Sequence, residues 1–244
     1  MPRQIIITNP TNYKGYKLNP KYSYDKQQLN TIIKALEYYS DLSSEDLNSN
    51  YMVFDVTIQL EEPTTINDDV FSCDDGGYEF LEFNYNDLTK LLDRKHFYYR
   101  YSKEISPKYG RHCHLMVIGN HVSLNFLLGK LKLDIENLDG VKTAYISPRK
   151  FNDDLLVSHK SPERKHFHYL KRSPDHKDGL NDCVFRMGYR AKVDQKPKYM
   201  TKNYRSFDGT RKLKPLLPRS EMSYNKSVAR RKRAKNDDVF DLSA

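Results

Sequence analysis

The fold is decided by residues 96–120, which read HFYYRYSKEISPKYGRHCHLMVIGN. Two aromatic and aliphatic runs, residues 96–104 and 112–120, flank a spacer that contains Pro107 and Gly110. Both spacer residues favour turns, because proline presets a negative φ and glycine tolerates a positive one. The segment therefore predicts a β-hairpin.

The hairpin places three metal-ligand side chains together. Residues i and i+2 of a strand project from one face, so His112 and His114 lie side by side. Glu104 ends the preceding run, and the turn folds it back beside His112, within reach of a shared cation. Two imidazoles and one carboxylate with open positions predict a site for Mg²⁺ or Mn²⁺, with zinc as an alternative.

A second histidine pair, His166 and His168, competes for this role. Its nearest acid is Glu163, three residues upstream with no turn between them. Either pair can also be two surface histidines on a strand. Because only the first pair has a carboxylate folded back beside it, we assign the metal to the hairpin.

The other elements follow from periodicity. Phe54, Val56, Ile58 and Leu60 alternate with polar residues, which predicts a strand over 51–60 whose polar face is available for function. Asn86 and Asp87 are predicted to cap a short helix. The remaining predictions are an irregular arm at 8–24, helices at 25–41, 88–93, 124–133 and 181–196, and a strand at 141–148. The pattern predicts an α+β fold, a central antiparallel sheet of about five strands with flanking helices.

Charge divides the chain of 244 residues, whose net charge is +9. Residues 1–92 carry 7 Lys and Arg against 15 Asp and Glu, whereas residues 93–244 carry 34 against 17. A basic part together with 19 Tyr and 11 Phe favours a polyanion whose bases can stack. Composition alone fits equally well a basic protein kept soluble by its charge.

Three parts are predicted along the chain: an arm and helix (1–50), a main domain (51–210) and a basic, mobile tail (211–244). No apolar run is long enough to span a bilayer, and the start MPRQIIITNP lacks the pattern of a signal peptide. We therefore expect a cytoplasmic protein without a membrane partner. Its three widely spaced cysteines, Cys73, Cys113 and Cys183, predict reduced thiols.

A nucleophile is suggested by tyrosine spacing. No phosphate-binding loop, GxSxG or HExxH motif occurs. Tyr189 and Lys192 share one face of the predicted helix, and an ammonium beside a phenol favours the nucleophilic phenolate. Tyr199 and Lys202 have the same spacing, so spacing alone leaves both tyrosines open.

In order, FDVTIQL, an acid, HCHLMV and a YxxK helix resemble the HUH endonucleases that initiate rolling-circle replication. More narrowly, VFRMGYRAKVDQK (184–196) followed by YRSF (204–207) is similar to the inovirus-type (YagK/YfjJ-like) replication initiators of filamentous phages and prophages. HYLKRSP (168–174) also resembles part of that family, which implies that His168 belongs to a structural strand. The resemblance covers about residues 50–210.

The resemblance implies a role for each matching residue. His112, His114 and Glu104 would bind a divalent metal, Tyr189 would be the nucleophile, and Lys192 would assist it electrostatically. The implied activity is nicking and rejoining of single-stranded or hairpin origin DNA through a 5′-phosphotyrosine. A separate host helicase and a host DNA polymerase would act with it in the bacterial cytoplasm.

The sequence departs from the family pattern at two positions: Cys113 is smaller than the usual middle residue of the HUH motif, and Arg190 stands where an apolar residue is expected. The residues expected to bind DNA are Arg186, Arg190, Lys196, Arg205 and Arg211. Two alternatives stay open. One is a transposase or relaxase with the same chemistry, and the other is a non-enzymatic DNA- or RNA-binding regulator.

Overall fold

A computed structural model describes residues 5–45, 51–61, 83–106, 110–120, 124–146, 167–170, 177–193 and 207–216. The strands are β1 (Ile6–Ile7), β2 (Asn12–Tyr13), β3 (Tyr16–Lys17), β4 (Tyr24–Asp25), β5 (Tyr51–Leu60), β6 (Tyr98–Ser106), β7 (Gly110–Asn120), β8 (Val141–Ile146), β9 (Phe167–Tyr169) and β10 (Phe207–Gly209). The helices are α1 (Lys26–Glu45), α2 (Tyr85–Arg94), α3 (Leu124–Glu136) and α4 (Lys177–Gly188). A 3-10 turn, Tyr189–Ala191, directly follows α4.

Strands β6 and β7 form the predicted hairpin, with Glu104 directly opposite His112. Gly110 begins β7 with a φ of 59°, a conformation that glycine adopts without a Cβ clash. The sheet has the order β10-β6-β7-β5-β8, all antiparallel, and short β9 pairs with the first half of β5. The predicted α+β class with an antiparallel sheet of about five strands is confirmed.

Alternation along the strands separates two hydrophobic clusters, one on each face of the sheet. Phe54, Leu115 and Cys113 pack beneath α2 and α3 on one face, so Cys113 points away from the histidines as predicted. Val53 and Met116 pack beneath α1 and α4 on the other face. Helices on both sides thus exclude water from most of the sheet.

The face beneath α1 and α4 changes from apolar to polar along the strands. Beyond Met116, β7 presents His114 and His112 on this face, next to Ser102 and Glu104 of β6. Every residue of β5, including those on its polar face, is buried or half-buried. The reason is that α4 and the 3-10 turn cover this half of the sheet. Its polar side chains therefore lie in a sheltered environment of low effective dielectric constant.

The tyrosine helix is shorter than the sequence pattern predicts. The prediction was a helix over 181–196, whereas α4 ends at Gly188 and Lys192 has an extended backbone (φ −60°, ψ 144°). Lys192 forms an isolated antiparallel bridge with Tyr24 of β4, which draws the chain away from the helix axis. The final part of the predicted helix, 194–196, lies outside the described residues.

The other element boundaries are close to their predictions. β5 spans 51–60 as predicted, α1 and α3 each continue about a turn further, and β8 ends two residues earlier. The N-cap of α2 was predicted at Asn86 or Asp87 but lies earlier in the sequence, at Asn84, whose side chain accepts a hydrogen bond from the backbone N–H of Asn86. No helix in the described part of the chain is long and apolar enough to cross a membrane.

Both terminal regions contribute to the packed structure. The arm at 8–24 was predicted to be irregular, but β1 pairs with β4 and β2 pairs with β3. Residues 211–216 were assigned to the tail, yet Leu216 is buried and its carbonyl accepts a hydrogen bond from Asn120 Nδ2 at 2.9 Å. Residues 217–244, which include the basic run at 230–235, lie outside the described residues.

The edge strand β10 depends on Gly209. Its φ is +136°, and a Cβ at this position would lie 2.4 Å from the carbonyl oxygen of Tyr99. We expect Gly209→Ala to lower the free energy of unfolding in urea by about 3 kcal/mol through strain and the clash. Gly15→Ala is the matched control, because Gly15 also has a positive φ but has open space around it. Equal losses in the two variants would contradict the packing assigned to β10.

Candidate metal centre and tyrosine

Strands β6 and β7 bring the three predicted ligands together. The Nε2 atoms of His112 and His114 lie 3.8 Å and 3.7 Å from Oε2 of Glu104. One ligand atom from each residue lies within 4.8 Å of the others, so these residues form a group that can hold a metal ion. Their convergence follows from the hairpin register and from the two-residue period of a strand.

Hydrogen bonds orient both imidazoles toward the carboxylate. Nδ1 of His112 donates to the carbonyl oxygen of Gly110 at 3.0 Å, and Nδ1 of His114 lies 3.2 Å from Oγ1 of Thr57. In the tautomer with the proton on Nδ1, Nε2 of each ring carries the lone pair that would bind a cation. Burial lowers the pKa of His114 to about 3 despite the nearby Glu104, which keeps the ring neutral at pH 7. This donor set fits a metal ion, which requires neutral imidazoles.

Glu104 is fully buried, and polar groups of this chain surround its carboxylate. Ser102 Oγ donates to Oε1 at 3.1 Å, and the Lys192 ammonium lies 2.9 Å from Oε2. That oxygen is the same one that faces both histidines. Lys192 therefore supplies a positive charge where a metal ion would also supply one.

The 3-10 turn brings the predicted pair Tyr189 and Lys192 together. Residues i and i+3 eclipse one another in this geometry, and the backbone N–H of Lys192 donates to the carbonyl of Tyr189 at 3.1 Å. The Lys192 ammonium donates to the Tyr189 hydroxyl and lies 3.7 Å from the centre of its ring. The same ammonium thus connects the phenol to Glu104.

The Tyr189 ring packs directly on the ligand group. Its centroid lies 5.6 Å from that of His114, with the two rings nearly perpendicular. On another edge it contacts Tyr22 of the arm, at 5.1 Å between centroids. Burial, together with the negative charge of Glu104, raises the pKa of Tyr189 to about 12. The phenol therefore keeps its proton at neutral pH in this arrangement.

A second buried ion pair holds the turn on the sheet. Asp55 of β5 accepts hydrogen bonds from the guanidinium groups of Arg190 and Arg186, the latter at 3.0 Å. Burial alone would raise the pKa of Asp55, but the two arginines lower it to about 2. Arg190, which was predicted to bind DNA, is only 1% exposed, and its guanidinium anchors the turn to Asp55. This pairing accounts for a charged side chain at a buried position of the turn.

Three further candidate residues lie in the described part of the chain. Arg186 retains 29% exposure while paired with Asp55, and Arg211 is exposed just after β10. His168 lies in β9 opposite Val53, in the strand that the resemblance implied. Lys196, Arg205, Tyr199, Lys202, Glu163 and His166 lie outside the described residues.

Sequence reasoning missed Asp55, Thr57 and Tyr22. The first two lie on the polar face of the strand predicted at 51–60, and their alternation with apolar residues was a usable signal. Thr57 pairs with His114 across β5 and β7, so the hairpin histidines indicated its position once the neighbouring strand was known. Tyr22 lies in the arm, where no periodic pattern indicated a contact with the site.

No family model matches the chain, and neither a curated protein nor a solved structure matches it. Its chemistry therefore has to be inferred from the geometry of the site. The ligand group can bind a cation that withdraws charge from an anionic oxygen, and the adjacent phenol can act as a nucleophile.

The Asp55 ion pairs predict a pH-dependent contribution to stability. Folding lowers the pKa of Asp55 from 3.8 to about 2, so its stabilising effect is complete above about pH 4 and is lost as the pH falls toward 2. We expect Asp55→Asn to reduce the free energy of unfolding by about 3 to 5 kcal/mol at pH 7, because a buried guanidinium loses its partner. Urea unfolding at several pH values measures both effects. Asp87→Asn, in an exposed pair with Lys90, is the control and should cost at most about 1 kcal/mol.

The position of Lys192 predicts competition with a metal ion. Because its ammonium lies 2.9 Å from Glu104 Oε2, we expect Lys192→Met to bind Mn²⁺ about tenfold more tightly, measured by electron paramagnetic resonance titration. Lys103→Met removes the same charge from the opposite face of β6, where Lys103 lies over the Tyr85 ring, and should leave Mn²⁺ affinity unchanged. Equal or weaker Mn²⁺ binding by Lys192→Met would contradict the competition.

Proposed function

We propose that the protein is an HUH-type initiator of rolling-circle DNA replication, a metal-dependent enzyme that nicks and rejoins single-stranded origin DNA through a 5′-phosphotyrosine. One observation carries the proposal: the Tyr189 phenol packs against the buried Glu104–His112–His114 group and is joined to it through Lys192. A ligand group for a divalent cation and a positioned hydroxyl are the two components that such a transesterification needs.

The protein's own residues account for the nucleophile. Tyr189 Oη, which keeps its proton until the attack, forms a new bond to phosphorus while the P–O3′ bond breaks, and the phenolic proton ends on the departing 3′ oxygen, which becomes a free hydroxyl. The Lys192 ammonium stabilises the negative charge on the phenolate oxygen. Glu104, His112 and His114 would hold Mg²⁺ or Mn²⁺, which when bound withdraws charge from the scissile phosphate.

The phosphotyrosine preserves the energy of the phosphodiester bond. Attack of a new 3′-hydroxyl on phosphorus would release Tyr189 and rejoin the strand, so neither step requires ATP. The released 3′-hydroxyl can prime synthesis by a host polymerase. Since the sequence has no phosphate-binding loop of the P-loop type, we expect a separate helicase to unwind the duplex.

The fold and charge are consistent with this proposal. An antiparallel sheet that carries the ligand histidines on its central strand β7 suits an HUH architecture. The ligands and Tyr189 belong to residues 93–244, which have twice as many basic as acidic residues. A basic surface around a metal site favours a polyanionic substrate such as DNA.

The decisive test is a covalent adduct with single-stranded origin DNA labelled at its 3′ end, the end that stays linked to Tyr189, in Mn²⁺ or Mg²⁺ on a denaturing gel. We expect an adduct with the natural sequence and none with Tyr189→Phe, which lacks the attacking oxygen. Tyr199→Phe, from the second YxxK match, is the matched control and should retain the adduct. His112→Ala should reduce adduct formation in both metals.

An adduct that persists in Tyr189→Phe would refute the assigned nucleophile. If no DNA from the replicon yields an adduct, the result favours the non-enzymatic nucleic-acid-binding regulator.

A further inference from the structure

A pocket of about 260 Å³ opens beside Tyr189. Its walls come from the segment between β3 and β4, from the end of α4 and from the 3-10 turn. The lining residues are Asn19, Lys21, Tyr22, Phe185, Arg186 and Tyr189. We call this feature the arm pocket; the sequence assigned no function to the arm that forms half of it.

The arm is firmly attached to the proposed catalytic residues. Tyr24 bridges to the backbone of Lys192, and the backbone N–H of Val193 donates to the carbonyl of Ser23 at 2.9 Å. The hydroxyl of the buried Tyr24 donates to the carbonyl of Asn19 at 3.0 Å. These contacts fix the arm wall of the pocket relative to Tyr189.

The lining of the arm pocket has the chemistry of a nucleotide site. Tyr22 and Phe185 are aromatic rings on which a base can stack. Lys21 is exposed, and Arg186 retains 29% exposure while paired with Asp55, so the lining presents positive charge to a phosphate. The volume falls just below the range of about 300 to 1,000 Å³ that drug-sized ligands occupy, and it suits one nucleotide.

We propose that the arm pocket binds the nucleotide directly 3′ of the nick, an inference that rests on the proposed function. This nucleotide carries the phosphate that Tyr189 attacks, and it stays linked to Tyr189 through its 5′ oxygen until rejoining. Its base must therefore lie within one nucleotide's reach of the phenol. The arm pocket meets this condition because Tyr189 itself forms part of its lining.

The test measures binding in EDTA, where no cleavage occurs, by fluorescence anisotropy of labelled oligothymidylate at fixed salt. We expect Tyr22→Ala to weaken binding about 5- to 150-fold through loss of stacking, while Tyr22→Phe keeps it. Lys21→Ala, at an exposed position that does not threaten folding, should weaken binding severalfold. Lys14→Ala removes another exposed arm lysine, which lies outside the pocket lining, and should have no effect.

Equal effects of Lys21→Ala and Lys14→Ala would overturn the proposal, since they would indicate a diffuse charge effect. Full binding by Tyr22→Ala would overturn it as well. The covalent adduct assay separates this proposal from the proposed function. If Tyr22→Ala and Lys21→Ala both form the adduct normally, the role of the arm pocket is refuted while the nicking activity stands. If the two variants weaken binding but no protein forms an adduct, the arm pocket is a nucleotide site and the nicking activity is refuted.

Discussion

Glu104 is a carboxylate without solvent exposure, and its charge requires a cation nearby. Burying an ion without compensation costs several kcal/mol, far more than one neutral hydrogen bond returns. Lys192 provides that cation, and the same carboxylate oxygen faces both histidines. The surrounding structure positions these groups around Glu104 Oε2. The hairpin register places the histidines, and the 3-10 turn and the arm strand that bridges Lys192 place the ammonium.

A second buried carboxylate, on strand β5, also has its charge compensated by cations. Asp55 on β5 pairs with Arg190 and Arg186, which fastens the end of α4 and the turn beyond it. Both buried ion pairs reach the turn just after Tyr189, one through Arg190 and the other through Lys192, while Arg186 pairs with Asp55 from the turn of α4 before it. A phenol whose backbone is fixed by two such ion pairs loses little further conformational freedom when it reacts, which is the benefit of a preorganised nucleophile.

The sequence predicted what depends on local spacing. Turn residues and strand alternation were sufficient to bring Glu104 beside His112 and His114, and the i,i+3 spacing of Tyr189 and Lys192 placed them together. Tertiary contacts decided the rest. Helical periodicity could not show that α4 ends at Gly188, because the bridge to Tyr24 and the pairing of Arg190 with Asp55 involve residues more than 130 positions away. The arm has no periodic pattern, so its contact with the site could not be predicted from the sequence.

The central claim is that Glu104, His112 and His114 form one metal site. Anomalous diffraction from crystals soaked in Mn²⁺ tests it most directly, because the signal locates manganese independently of activity. We predict one strong peak between Glu104 Oε2 and Nε2 of both histidines, with the Lys192 ammonium displaced from the carboxylate. Manganese bound elsewhere, or no peak while Lys192 stays paired with Glu104, would contradict the account.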